Sequence, residues 1–172
     1  MRETLMYFAY GSNLHPVRLG ERVPSSELVD VGRLPGHRLR FHKRGRDGSG
    51  KCDAVRTGVA DDVVWGAVFR LAAHERPQLD AAEGLGHEYH LHDTVVEGRT
   101  RRHTVFTYLA HPATLDDALR PYDWYHRLVL AGARLHEFPA SYVEVIEAVD
   151  SHPDPDRDRA EQHRLLLERL RG

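Results

Sequence analysis

The stretch "YFAYGSNL", residues 7–14, decides how the chain is read. Residues 5–10 are rich in β-formers, and Gly11 closes the run at once, which predicts a buried strand leading into a loop. Gly-Ser-Asn packs little and is at home in an ordinary turn. The same residues also suit a loop that holds a ligand. Gly11 lets the backbone approach closely, and the amides around Gly11, Ser12 and Asn13 can form an anion-holding nest. Taken alone, these residues leave both readings open.

Further along, "DDVVWGAVFRL" (61–71) has the β-branched and aromatic content of a central strand. Shorter strands are expected at 28–31 and 37–42, parted by the turn signal "LPG". "KRGRDGSGK" (43–51) reads as a glycine-rich loop. "AAHERPQLDAAEG" (72–84) predicts a helix stopped by Gly84. "EYHLHDTVVEG" and "RRHTVFTYLA" predict an antiparallel pair joined around Gly98. Trp124, Leu128, Ala131 and Leu135 recur at helical spacing, as do Tyr142, Val145, Ile146 and Val149, and each set predicts one buried stripe. "DSHPDPDRDRAEQH" (150–163) is a polar, proline-broken linker feeding a short helix, "RLLLERL", whose leucines need cover from this domain or from a second subunit. A domain at 1–150 followed by a linker-and-helix tail at 151–172 is the expected division. Strands come first and helices later, so the fold class is α+β or a mixed barrel, not a series of βαβ units.

The 172 residues suffice for one domain with a core that needs no covalent staples. A net charge of -2 gives no general attraction to nucleic acid or to an anionic membrane. No apolar run reaches the roughly 18 residues of a membrane span, and no signal peptide is visible. One cysteine allows neither an intramolecular disulfide nor a cysteine-based zinc site, and a reducing cytoplasm suits it.

Several motifs fall short. Gly45, Gly50 and Lys51 match a phosphate-loop spacing, but Cys52 stands where a magnesium-binding hydroxyl belongs, and no helical stripe follows. His90 and His92 share one face of a strand, with His87 and Glu88 close by. Two ligands do not make a metal site, and 13 histidines make chance pairs common. The basic run from Arg33 to Lys51 has Phe41 as its only stacking aromatic, so solvated edge-strand charges are favoured over a nucleic-acid patch. A narrower reading has some of these cations attract a small carboxylate-bearing substrate. Ser12 lacks the nucleophile-elbow context of a hydrolase serine.

Four blocks occur in order: "YFAYGSNL", "VVWGAVFRL" (63–71), "LDAAEG" (79–84) and "YHRLVLAGARLHEFPASYVEVIEA" (125–148). In sequence and spacing they resemble the γ-glutamylcyclotransferase (AIG2-like) family over most of residues 5–149, and "FHKRGRDGSGK" (41–51) is similar to a segment of a bacterial subset. The resemblance implies a small, mixed, barrel-like sheet flanked by helices, with a cavity for a γ-glutamyl group. It implies an intramolecular reaction in which the α-amine attacks its own γ-carbonyl, forming 5-oxoproline and releasing an amine or amino acid. By the same resemblance Glu83 is the catalytic acid–base. Tyr10, Gly11, Ser12 and Asn13 form the substrate loop, and Tyr89, Tyr108 and Tyr125 are cavity tyrosines. Such a reaction needs folding of the substrate into a near-attack geometry and a proton acceptor, with no cofactor and no metal. Three readings stand: a cyclotransferase of general range, an enzyme for one special γ-glutamyl amide such as a protected biosynthetic intermediate, and a binding module without turnover. The C-terminal helix leaves a homodimer open.

Overall fold

The apolar run near the N-terminus is a strand, and its last residues, Tyr7, Phe8 and Ala9, are buried. The computed structural model describes residues 2–171. In chain order the elements are β1 (Thr4–Ala9), α1 (Pro16–Arg22), β2 (Glu27–Pro35), β3 (His37–Arg44), β4 (Gly50–Arg56), β5 (Val63–Ala72), α2 (Arg76–Glu83), β6 (Tyr89–Gly98), β7 (Arg102–Ala110), α3 (Asp123–Leu135), α4 (Ala140–Glu147) and α5 (Arg157–Leu170). Five strands close a barrel in the order β1-β5-β2-β6-β7, while β3 and β4 form a separate hairpin. The pairing of β1 with β7 is parallel and the others are antiparallel, so the barrel is mixed, as the resemblance implies. Closure leaves these strands without a free edge. No described helix is long and apolar enough to cross a membrane.

The differences from expectation have physical causes. Helix α1 is absent from the sequence reading because it is seven residues long, begins on Pro16 and fully buries only Leu19. The loop read at 43–51 is confined to residues 45–49: β3 runs to Arg44 and β4 starts at Gly50, with charged side chains masking the ends of the strands. The polar linker ends early, because Asp156 caps α5 by accepting from the Arg159 N–H at 3.0 Å. In the two late helices Leu135 and Val145 leave the predicted stripes and are 51% and 65% exposed.

Helix α5 packs back on α3. Leu166 is buried, and the His163 ring stacks on Trp124 at 3.6 Å. Asp154 accepts from Trp124 Nε1 at 2.8 Å and from Arg159 through two bonds of 2.6 Å. Its side chain is fully enclosed. Burial alone would push this carboxyl up, but the bonds from Arg159 and Trp124 outweigh it and hold the pKa at about 2. A lowered native pKa stabilises the fold above the ordinary value of 3.8, and that contribution is lost as pH falls through about 2. Asp154→Ala strands the guanidinium and is expected to cost about 3 kcal/mol in denaturant unfolding at pH 7. The difference from wild type should shrink in the acid range, and an unchanged gap at low pH would contradict the role given to the pair.

Candidate active site

Beyond β1 the chain turns tightly, with Leu14 N–H bonded to the Gly11 carbonyl at 3.2 Å. Two features of α3 hold this turn. His136 Nε2 donates to the Leu14 carbonyl at 2.6 Å. Gly132 faces the same residue, and a Cβ there would overlap Leu14 Cβ and come within 3.3 Å of His15 N. Among the described residues, the N–H groups of Gly11, Ser12 and Asn13 have no acceptor in the protein. A Cβ on Gly11 would stand 3.0 Å from Cys52 Cβ, so the turn passes close against β4.

Glu83 is the last residue of α2. Gly84 ends that helix at φ 65°, and a Cβ there would overlap the Glu88 carboxylate. The turn thus fixes where Glu83 points. Its Oε1 accepts from Asn13 Nδ2 at 2.9 Å and lies 3.4 Å from Arg22 Nη1. Arg22 also donates to Asn13 Oδ1 at 3.0 Å, and Asn13 Nδ2 reaches the Tyr7 hydroxyl at 3.2 Å. Every polar atom of the Asn13 amide is therefore engaged, and its orientation is set by Arg22. The Glu83 side chain is 16% exposed. Burial pushes its pKa above the ordinary 4.5, and the opposing pull of Arg22, Asn13 and Lys43 does not cancel that.

The other nearby acids are committed. Glu88 lies between Lys43 and Arg46 at 3.2 Å from each. Asp80 accepts from the Tyr108 hydroxyl at 2.6 Å. Of the three, Glu83 alone reaches the innermost part of the adjoining cavity.

That cavity has two parts. An inner recess of about 30 Å³ is walled by the 10–13 loop, Glu83, Cys52, Tyr89, Tyr108 and Tyr125. Every residue expected at the site is present there. Ser12, Glu83, Tyr89 and Tyr125 also face an outer chamber of about 370 Å³. Three phenols spend their protons on the protein: Tyr10 on the Tyr108 carbonyl, Tyr89 on the Cys52 carbonyl and Tyr108 on Asp80. Tyr125 instead accepts from Cys52 N–H at 2.9 Å. The Cys52 thiol is pushed up to about 12 by burial, which leaves it unsuited as a nucleophile.

The outer chamber holds what sequence reading missed. Arg18 and Arg22 reach it from α1, and Arg159 reaches it from α5. The first two follow the loop at i and i+4, a usable signal once the short helix is known. The basic run divides between its two readings. Arg33, Arg38, Arg40 and Arg44 pair with surface acids, whereas Lys43, Arg46 and Lys51 line the chamber. His90 and His92 lie on β6, away from this cavity, and no cluster of three or more metal-ligating side chains occurs among the described residues.

A model of the AIG2-like family matches residues 63–146. Over 156 residues the chain is 30% identical to γ-glutamylcyclotransferase of Mus musculus, a match spanning 86% of this chain and 80% of that protein. The Homo sapiens γ-glutamylcyclotransferase is 28% identical over 153 residues with the same coverage. A solved structure described as a γ-glutamyl cyclotransferase superposes with a TM-score of 0.85, covering 97% of this chain and 99% of the other. At 24% identity that last likeness is one of fold.

Proposed function

Because the chain belongs to the γ-glutamylcyclotransferase (AIG2-like) family, we propose that it cyclises a γ-glutamyl group to 5-oxoproline, releasing the amine or amino acid held in γ-amide linkage. The observation that carries this reading is Glu83: a mostly buried acid with a raised pKa, beside a loop with three free amides.

The substrate arrives with its α-amine protonated. Glu83, ionised, takes a proton from the ammonium, and the freed nitrogen attacks the γ-carbonyl carbon. A five-membered ring forms, and the γ-amide C–N bond breaks. The α-nitrogen gives up two protons in becoming a lactam N–H, and the departing nitrogen gains two in becoming an ammonium, with Glu83 as the relay. No water is consumed and no protein nucleophile is needed. The inner recess has room for roughly two water-sized atoms, which suits a carboxylate head or the developing oxyanion on the free amides. The Tyr125 hydroxyl stands beside that loop, 3.4 Å from where a Cβ on Gly11 would lie. Folding both reacting groups into contact supplies a large share of the rate.

The test is 5-oxoproline release from a panel of γ-glutamyl amino acids, γ-glutamylamines and glutathione. Release from at least one member supports the reading, and none from any member points to a binding module. A second expectation concerns pH. The base must be ionised, so turnover falls as pH drops through the Glu83 pKa, with the midpoint above the ordinary 4.5. A kcat profile flat to below that value would show that another group takes the proton.

A further inference from the structure

The outer chamber has an uneven charge. Five of its cations have a carboxylate close by: Arg22 with Glu83 at 3.4 Å, Lys51 with Asp47 at 2.8 Å, Arg159 with Asp154 at 2.6 Å, and both Lys43 and Arg46 with Glu88 at 3.2 Å. One acid therefore serves two cations at Glu88. The sixth, Arg18, has only Glu21 at 3.7 Å, and Glu21 is itself bonded by Arg169 at 2.5 Å. Arg18 Nε is buried without any acceptor, although the side chain is just 17% exposed. Burial, and then the neighbouring Arg22 charge, bring its pKa down to about 10. A desolvated guanidinium with an orphaned donor is costly unless an anion completes it, and its planar fork suits a carboxylate.

The position of Glu83 says which half of a substrate meets these cations. No side chain of the inner recess is cationic, and Glu83 lies where recess and chamber join. With the glutamyl amine and carbonyl at Glu83 and the loop amides, the bond to be broken points its other half into the chamber. Resting on the cyclisation reading, we propose that the chamber selects leaving amines bearing two carboxylates, with Arg18 as the specificity residue that grips one of them. An α-amino dicarboxylic acid meets the two surplus positive charges, one on Arg18 and one on the Lys43–Arg46 pair. A cationic or neutral leaving amine does not.

Three substrates with one leaving skeleton separate the charges: γ-glutamyl-glutamate, γ-glutamyl-glutamine and γ-glutamyl-glutamine α-amide. Their leaving halves carry two, one and no carboxylates. Expected is a fall in kcat/KM of about tenfold or more at each carboxylate removed, a preference that weakens with added salt. Arg18→Gln should lower kcat/KM for the dicarboxylate at least tenfold more than for the neutral amide, and Arg18→Lys should recover part of that difference. Equal kcat/KM across the series overturns the proposal while leaving the cyclisation intact. So does an Arg18→Gln loss that is the same for all three substrates, the mark of a merely structural arginine. If none of the three releases 5-oxoproline while another γ-glutamyl compound of the panel does, the proposal is overturned with the cyclisation intact, and if no compound of either set does, it is the cyclisation reading that fails. Calorimetric binding of free glutamate against glutamine then decides the charge preference by itself, tighter glutamate supporting it and equal binding overturning it.

Discussion

Glu83→Gln is expected to lower kcat/KM for 5-oxoproline release by about a thousandfold, while the folded protein becomes more stable at pH 7 than wild type. The two effects share one cause. A neutral amide keeps the acceptor for Asn13 Nδ2 but cannot take a proton from an ammonium. It also relieves the fold of a buried ionised group. The sign follows from the raised pKa. Between the ordinary value of 4.5 and the higher native value, the native state binds more protons than the unfolded chain, so wild-type stability falls as pH rises through that window. Above it the full cost of the buried carboxylate remains, and the Gln variant escapes it. Below 4.5 the two proteins should unfold alike. Thermal unfolding at several pH values, set beside turnover, checks both halves. Lost activity with lost stability would mean that Glu83 braces the fold, and retained activity would move the base elsewhere.

Gly132→Ala should reverse the usual sign of its substitution. In a helix interior, alanine for glycine ordinarily gains about 1 kcal/mol. Here the added methyl overlaps Leu14 Cβ and crowds the His15 amide, so neither neighbour can yield without shifting the loop's backbone. An overpacked contact of this kind costs about 1–3 kcal/mol. The shift is passed to Gly11, Ser12 and Asn13, and a displacement of about 1 Å in positioning groups is worth about a hundredfold in rate. The expected outcome is a lower melting temperature and kcat/KM reduced by about two orders of magnitude, at a residue that touches no substrate. A variant that is more stable and fully active would show that the loop is not held from this side.

The strands of the barrel were legible because burial on both faces demands runs such as "YFAY" and "VVWGAVF", and few alternatives fit them. The hairpin of β6 and β7 and helix α3 were legible for similar reasons. Helix α1 was not, since one fully buried leucine in seven residues gives no period to read. Strand β4 was hidden by Gly50, which has no side chain to show a pattern, and by Lys51, which faces a chamber and not a core. The site was legible in proportion to its closeness to the loop. Residues 10–13 and Glu83 carry recognisable local patterns. Arg18, Lys51 and Arg159 converge only through the fold, and their spacing along the chain says nothing of it. Arg159 stands out least, in a segment whose prolines and aspartates read as linker.

The cavity's parts come from distant stretches of chain. His136 secures Leu14 across 122 positions, and Arg169 reaches Glu21 across 148. The parallel pairing of β1 with β7 likewise joins remote residues, Tyr7 to Phe106. Contacts this remote reward the chain only after long loops have closed, so folding belongs on the slow side for a domain of this size. The same wiring leaves no smaller piece that keeps the loop in shape. Hydrogen exchange at the buried Leu14 amide, bonded to the Gly11 carbonyl, should therefore occur by opening of the whole barrel, because the turn is fastened to it at both of its ends and from above, whereas the unbonded amides of Gly11–Asn13 exchange from the native state.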